Sequence, residues 1–235
     1  MFTTFPSLES IYPLWLQITV SATWVSLILF IAWLVYHFTD SEPEIIRKIV
    51  HIGTGNIIVI AWLLNIPAEL GIAAAIFASF ITLLSYIFPI LPGINSVGRQ
   101  SLGTFFYAVS IGILVAIFWD LQQPQYAAIG ILTMTWGDGL AALIGKRFGK
   151  HKYQIFGSNK SWEGSSTVTI TSFLICALIL LSTLGNNWQI WLISILVAIL
   201  ATILETISIL GVDNLTVPIG SAVLAYSLVQ ILIIN

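Results

Sequence analysis

Long apolar stretches alternate with short polar segments along the whole chain. A helix needs about 20 apolar residues to cross the roughly 30 Å hydrocarbon core of a bilayer. With that window the sequence predicts eight membrane spans, at residues 12–36, 49–64, 68–91, 102–119, 126–144, 165–184, 188–204 and 215–234. Pro218 and Gly220 are expected to interrupt the last span. The stretches lack the alternation of a membrane β-barrel, so the pattern predicts an all-α integral membrane protein, a polytopic bundle of about eight helices.

The composition agrees with this prediction. Of the 235 residues, 58% are hydrophobic and 8% are charged, whereas a soluble domain carries about 25% charge. A soluble fold of this composition would expose large apolar patches, and the chain is too poor in Lys and Arg to bind nucleic acid through a basic surface. No shift in composition separates two domains, so residues 1–235 are expected to form a single polytopic membrane domain.

The basic residues orient the bundle. Eight spans place the connecting segments alternately on two faces, and the face rich in Lys and Arg is expected to be cytoplasmic. That face receives all 8 basic residues and most of the 10 acidic ones, which leaves both termini on the opposite side. Topology does not require acids at helix ends beside Gly and Asn. A polar site is therefore expected on the cytoplasmic face, in loops around residues 37–48, 92–101, 145–164 and 205–214.

Two basic motifs contribute to this face. In the first, Arg47 and Lys48 precede His51 and Gly55, and on a helix Arg47, His51 and Gly55 share one side. His51 lies a turn inside the membrane, where polar groups tend to be functional, although interfacial anchoring by the basic pair is the alternative. The second motif, at Arg99, begins a helix whose free N–H groups suit an anion, or it is only a capping turn.

Asp138 is the most informative charge, because it lies within an otherwise apolar span between Gly137 and Gly139. A carboxylate there is costly unless it is paired or bound to a metal. Lys146 and Arg147 follow about two turns later. The segment is not a P-loop, because its glycine spacing and the residue after Lys146 both differ from that motif.

Two further polar segments follow. The first, at 156–165, leads into a helix N-terminus and suits a polyphosphate; its candidate residues are Gly157, Asn159, Lys160, Ser161 and Gly164. In the second, Glu205 and Asp213 offer the hard oxygen ligands that Mg²⁺ prefers. A plain basic loop and an Asx-turn before the last helix are the respective alternatives.

The motifs RK-x-x-H-x-x-x-G, GDGLAALIGKRFGK, GSNKSWEGS and E-x-x-x-x-x-x-x-DNLTVP resemble the polyprenol kinase family, and in particular its phytol kinase branch, with dolichol kinases as relatives. They occur in the family's order over residues 47–218. The likeness to CDP-diacylglycerol synthase is more distant. The resemblance implies an integral membrane enzyme that phosphorylates a long isoprenoid alcohol, with CTP as donor and a divalent cation such as Mg²⁺. In plants and cyanobacteria such an enzyme supports tocopherol synthesis.

The resemblance also suggests roles for the candidate residues. Asp138 is expected to bind Mg²⁺ or to take the alcohol proton, with Glu205 and Asp213 as further metal ligands, and His51 is expected to orient the substrate hydroxyl. The catalytic set is then Asp138, Lys160 and His51. The nucleotide is expected to contact a larger set, which consists of Arg47, Lys48, Gly139, Lys146, Arg147, Gly157, Asn159, Lys160, Ser161 and Gly164. The prenyl tail would reach the site sideways from the lipid.

Other functions remain open from the residues alone. A cytidylyltransferase acting on a lipid phosphate would release pyrophosphate, and a diacylglycerol kinase would use a different alcohol. A transporter is the alternative of another class. Transporter sites usually lie near the bilayer midplane between matched halves, whereas the charges here are expected at one face. The expected partners are therefore the lipid bilayer, an isoprenoid alcohol and a nucleoside triphosphate, without nucleic acid.

Overall fold

The computed structural model describes residues 12–88 and 102–234. In order along the chain, the elements are helices α1 (Leu14–Phe38), α2 (Pro43–Gly55), α3 (Ile57–Leu63), α4 (Ala68–Ile87), α5 (Gly103–Asp120) and α6 (Pro124–Phe148), strands β1 (Lys152–Ile155) and β2 (Ser158–Ser161), and helices α7 (Trp162–Leu184), α8 (Trp188–Ile207) and α9 (Asp213–Val229). A π-helical turn, Gln230–Ile234, continues α9.

Within these ranges, eight helical segments are long and apolar enough to cross a membrane, with α2 and α3 counted together as Pro43–Leu63. The predicted all-α polytopic bundle is confirmed. Large apolar side chains such as Trp15, Phe77, Leu178 and Trp188 are exposed on the outside of the bundle, as expected for helices that face lipid rather than water.

The predicted spans are too short at several ends, because a hydropathy window reports contact with lipid rather than helical hydrogen bonding. The helix that contains Lys48 begins at Pro43, α6 continues to Phe148, and α9 begins at Asp213. Parts of the predicted polar loops are therefore helical, and their charged side chains have fixed directions. The predicted loop at 92–101, with Arg99, lies outside the described residues, and the sidedness of the bundle stays a prediction.

The prediction that Pro218 interrupts the last span is wrong, since α9 continues as a helix through this buried proline. Proline removes one backbone N–H from the helix ladder and usually kinks the helix. Here the backbone of Pro218 packs closely against Gly130 of α6, where a Cβ atom would collide with it. Tertiary packing of α9 on α6 thus keeps the helix in place.

Helix α6 lies at the centre of the bundle and packs against α2, α5, α7 and α9. Its first half is almost completely buried, and Ile129, Ile131 and Met134 belong to the main apolar core. Side chains in such a core are close-packed. The direction in which the second half of α6 presents Asp138 is therefore set by the packed first half.

The two short strands form an antiparallel hairpin that the sequence reading did not predict. Its register pairs Lys152 with Ser161 and Tyr153 with Lys160. Phe156 and Gly157 form the turn and both have positive φ, at 47° and 80°, which is the backbone of a tight two-residue hairpin loop. Because side chains alternate across a strand, Tyr153 and Lys160 share the inner face.

The start of α7 approaches α6 closely at Gly164. A Cβ atom there would lie 3.3 Å from the backbone oxygen of Ala141 and 3.2 Å from Oγ of Ser161. Ser161 Oγ caps α7 by accepting a hydrogen bond of 3.1 Å from Gly164 N. Gly164 therefore lets the hairpin, the cap and α6 meet without a gap.

We expect Gly164→Val to lower the free energy of unfolding by about 1–3 kcal/mol, because extra methyl groups overpack a close helix contact. Thermal unfolding of the detergent-solubilised protein measures the effect. Ala78→Val is the control, since Ala78 lies on an exposed side of α4. Equal melting temperatures for the two variants would contradict a tight contact at Gly164.

Candidate active site

The first part of the site is an ion pair between α2 and α6. Lys48 Nζ lies 2.5 Å from Asp138 Oδ2, and the side chain of Lys48 is only 2% exposed against 21% for Asp138. A buried lysine needs such a partner, because an isolated charge in an apolar environment is strongly unfavourable. The predicted cost of Asp138 in an apolar span is therefore offset by a lysine from the neighbouring helix.

His51 faces the same carboxylate. Its Nε2 lies 3.5 Å from Asp138 Oδ2, and this buried nitrogen has no hydrogen-bond partner within the described part of the chain. The imidazole packs on the ring of Tyr107 with 4.7 Å between centroids. His51 is thus held against Asp138 with one nitrogen available to a ligand.

Two tryptophans fix the helix that presents Lys48 and His51. Trp136 Nε1 donates to Asn56 Oδ1 at 3.1 Å, which joins α6 to the break between α2 and α3. Trp24 Nε1 of α1 donates to the carbonyl oxygen of Gly53 at 2.8 Å. These contacts orient α2 without using any charge of the site.

The second part of the site is the ion pair of Lys160 and Glu205. Lys160 Nζ lies 2.5 Å from Glu205 Oε1 and also donates to the backbone carbonyl of Glu205. The side chains are 15% and 14% exposed. The pair therefore fastens the inner face of the hairpin to the end of α8.

The hairpin is anchored at two other points. Tyr153 hydroxyl and Ser165 Oγ share a hydrogen bond of 2.5 Å, and His151 Nδ1 lies 2.8 Å from Glu163 Oε1. Both contacts connect the hairpin to the first turn of α7. Lys160 therefore extends from a supported strand rather than from a free loop.

Asp213 joins the two pairs. It is the first residue of α9 and lies close enough to Asp138, Lys160 and Glu205 to interact electrostatically with them. The Asp213 carboxylate itself forms no ion pair with any of the described residues. Three carboxylates and two lysines from different elements therefore meet at one end of the bundle.

The remaining basic candidates make contacts outside the two central ion pairs. Arg47 makes a two-pronged hydrogen bond with Glu44, at 2.6 and 2.9 Å. Lys146 pairs with Glu42 just before α2, and the Arg147 guanidinium lies 5.4 Å from the centre of the Phe148 ring. These side chains are more exposed than the central pairs and are available to a charged ligand.

The small and amide residues predicted to contact nucleotide have structural positions. Gly139 is buried, and a Cβ atom there would collide with Ile52 of α2. Gly157 occupies the hairpin turn. Asn159 is exposed on the side of the strand opposite Lys160, while Ser161 and Gly164 form the cap described above. Of this group, only Asn159 presents an uncommitted polar side chain at the surface.

The carboxylates suit a divalent cation that is shared with a ligand. No group of three His, Cys, Asp or Glu side chains in residues 12–88 and 102–234 forms a complete metal site. Mg²⁺ in phosphoryl-transfer sites is usually held by one or two carboxylates together with substrate phosphates. Asp138 and Asp213, which are near enough to interact electrostatically, are candidates for that set of oxygen donors.

Sequence reasoning missed Tyr153, Tyr107 and the Trp136–Asn56 contact. The alternation of polar and apolar residues in Lys152–Ile155, followed by Phe156-Gly157, was a partial hairpin signal, since a two-residue loop with Gly favours this turn. No comparable signal exists for Tyr107, because its contact with His51 joins residues 56 positions apart.

Comparison with known proteins adds an independent line of evidence. Over 215 residues the chain is 49% identical to phytol kinase of Synechocystis sp., a match that covers 92% of each chain. It is 32% identical to probable phytol kinase 1 of Oryza sativa, over 80% of this chain and 65% of that protein. Farnesol kinase of Arabidopsis thaliana is 30% identical over 57% of this chain and 46% of its own.

No protein-family model matches the chain, and no solved structure matches it. The match to the cyanobacterial phytol kinase nevertheless covers nearly the whole length of both proteins. It includes the helices and the hairpin that bring Lys48, Asp138, Lys160, Glu205 and Asp213 together. The chain therefore belongs to the polyprenol kinase family that includes the phytol kinases.

Proposed function

We propose that the protein is a membrane kinase that transfers a phosphoryl group from a nucleoside triphosphate to a long-chain isoprenoid alcohol. The observation that carries the proposal is the 49% identity to a phytol kinase over 92% of both chains. Phytol is the acceptor that this relative suggests, and the farnesol kinase relative supports the wider class of isoprenoid alcohols. CTP is the proposed donor, from the family resemblance of the motifs.

The charge arrangement supports phosphoryl transfer. Enzymes of this type depend on positioning and on neutralising the charge of the transferred group, with little covalent chemistry of their own. Lys48 and Lys160 are each paired with a carboxylate at 2.5 Å. On binding, the phosphates would replace the carboxylates as partners of the two lysines, and the exposed Lys146 and Arg147 would contact the outer phosphates.

Asp138 and Asp213 would hold the divalent cation in this proposal, with Glu205 as a further oxygen ligand once Lys160 turns to phosphate. When bound, the cation supplies positive charge that neutralises the phosphate oxygens. The same carboxylates would otherwise repel the nucleotide. Nucleotide affinity is therefore expected to depend on the divalent cation, and equilibrium binding with and without Mg²⁺ measures this dependence.

The transfer itself is balanced by one bond made and one broken. The alcohol oxygen forms a bond to the γ-phosphorus, and the bond from that phosphorus to its bridging oxygen breaks, which releases a nucleoside diphosphate. His51 orients the substrate hydroxyl through its available Nε2. The hydroxyl proton passes to the His51–Asp138 pair, whose nearest atoms lie 3.5 Å apart.

Product analysis tests the proposal. Purified protein is incubated with labelled CTP or ATP and with phytol, geranylgeraniol, polyprenol or diacylglycerol. CDP together with a prenyl phosphate is the expected result. Pyrophosphate release would instead indicate a cytidylyltransferase, phosphorylated diacylglycerol a different lipid kinase, and no turnover with any acceptor would contradict a kinase.

A further inference from the structure

An apolar groove lies between the C-terminal end of α8 and the start of α9. Its volume is about 220 Å³, and its lining residues are Leu204, Ile207, Ser208, Ile209, Val212 and Thr216. The side chains of Ile207 and Ile209 are 47% and 45% exposed. The groove therefore opens to the outside of the bundle, where its apolar walls are suited to lipid-like chains.

The groove adjoins the charged site. The backbone N–H of Ser208 donates to the carbonyl oxygen of Glu205 at 3.3 Å, and Lys160 Nζ donates to the same oxygen. At the other end, Val212 directly precedes Asp213. A molecule in the groove would thus have one end beside the residues proposed to handle phosphate.

Two hydroxyl groups interrupt the apolar lining. Thr216 Oγ1 donates to the carbonyl oxygen of Val212 at 3.2 Å, so its hydrogen-bonding need is met within α9. Ser208 Oγ is buried and has no hydrogen-bond partner within residues 12–88 and 102–234. A buried hydroxyl without a partner is unfavourable, and a ligand hydroxyl entering the groove would satisfy it.

The loop that forms the groove is held in shape by backbone contacts. Leu210 and Gly211 both have positive φ, at 55° and 84°, and Val212 N donates to the carbonyl oxygen of Ile209 at 3.1 Å. Leu102 N donates to the carbonyl oxygen of Leu210 at 3.2 Å. The shape of the groove is thus set by the protein backbone itself, and small-molecule sites are usually largely pre-formed.

We propose that this groove receives the hydroxyl-bearing end of the isoprenoid alcohol on entry, where Ser208 Oγ is the first hydrogen-bond partner of the substrate hydroxyl, before His51 orients it for transfer. The proposal rests on the proposed kinase function and adds the entry point of the acceptor. The groove is smaller than the roughly 300–1,000 Å³ of pockets that enclose a whole ligand. Only the first part of the tail lies inside, and the rest extends past Ile207 and Ile209 into lipid.

Groove-filling variants test the proposal kinetically. Val212→Trp is expected to raise the KM for phytol at least tenfold, at a fixed mole fraction in mixed micelles, and to change the KM for nucleotide less than twofold. Val20→Trp is the matched control, because Val20 lines a second apolar groove of similar volume, about 260 Å³, that is formed by α1 and α3. Ser208→Ala should raise the KM for phytol about three- to tenfold, the factor for one neutral hydrogen bond. This smaller change keeps the proposal testable if the tryptophan variant does not fold.

A binding experiment separates this proposal from the kinase function. A diazirine-bearing isoprenoid alcohol is photo-crosslinked to the full chain without nucleotide, and the labelled peptide is identified by mass spectrometry. Labelling within residues 204–216, displaced by phytol but not by the hydrocarbon phytane or by phosphatidylcholine, is the expected result. This readout does not need turnover, so it stands even if no phosphorylated product is found.

Three outcomes would overturn the groove as the acceptor site. The label could map elsewhere, or phytane and phosphatidylcholine could displace it as well as phytol, which would make the groove a general lipid contact. Equal KM values for phytol in Val212→Trp and Val20→Trp would also contradict it. Each of these results leaves the kinase function intact, whereas absence of product from the unaltered protein contradicts only the kinase function.

Discussion

Replacing Asp138 with Asn is expected to reduce phosphoryl transfer by about 10³-fold or more, the scale found when a central charge of such a site is removed. The change also leaves Lys48, only 2% exposed, without its carboxylate partner. Removing one member of a buried ion pair lowers the free energy of unfolding by about 3–5 kcal/mol. Turnover with CTP and phytol and the melting temperature in detergent are the measurements.

The double variant Lys48→Met/Asp138→Asn separates the two effects. It removes both charges of the pair, so it is expected to regain most of the lost stability and none of the activity. Asp120→Asn is the matched control, because Asp120 is exposed at the end of α5 and takes no part in the described ion pairs. Turnover that returns together with stability in the double variant would show that Asp138 is only structural.

Lys160→Met is expected to have the second largest effect, a loss of about 10²-fold or more in kcat/KM for the nucleotide, because a partly buried cation near phosphate contributes several kcal/mol to charge neutralisation. The loss should appear mainly in the nucleotide KM if Lys160 acts on the bound donor, and mainly in kcat if it acts on the transferred phosphoryl group. Steady-state kinetics at saturating phytol distinguish these cases.

The hairpin offers a close control for this variant. Lys152 lies on the same hairpin, one position before Tyr153, and is exposed. Lys152→Met should leave the kinetics within about twofold, the range of an exposed charge with no close partner. Similar losses in Lys152→Met and Lys160→Met would indicate a general charge effect of the hairpin and would contradict a specific role for Lys160.

Much of the fold could be predicted because its evidence is local. Helical spans follow from apolar stretches of sufficient length, and all eight were placed correctly in order. The ends of the spans were less predictable. Helix α2 already includes Arg47 and Lys48, whereas the hydropathy pattern begins this span at residue 49. The hairpin was missed because only its first strand alternates polar and apolar residues, over four positions, whereas the second strand, Ser158–Ser161, is polar throughout.

The candidate site was predictable in composition but not in pairing. The motifs identified Lys48, Asp138, Lys160, Glu205 and Asp213 as unusual charges in an apolar chain. Which lysine meets which carboxylate depends on how α2 packs on α6 and how the hairpin reaches α8. Gly139, one of the predicted nucleotide contacts, also allows close packing against Ile52, and a glycine in a sequence does not reveal such packing.

Hydropathy and motif order are read along the chain in one dimension, so the membrane class, the order of the spans and the family follow from the amino-acid sequence. The tertiary structure set the ion pairs, since Lys48 and Asp138 are 90 positions apart and Lys160 and Glu205 are 45 apart. It also decided that Ser208 lines an apolar groove beside Glu205. These relations depend on distances between helices, which are set by packing around α6 and are not encoded in any one segment.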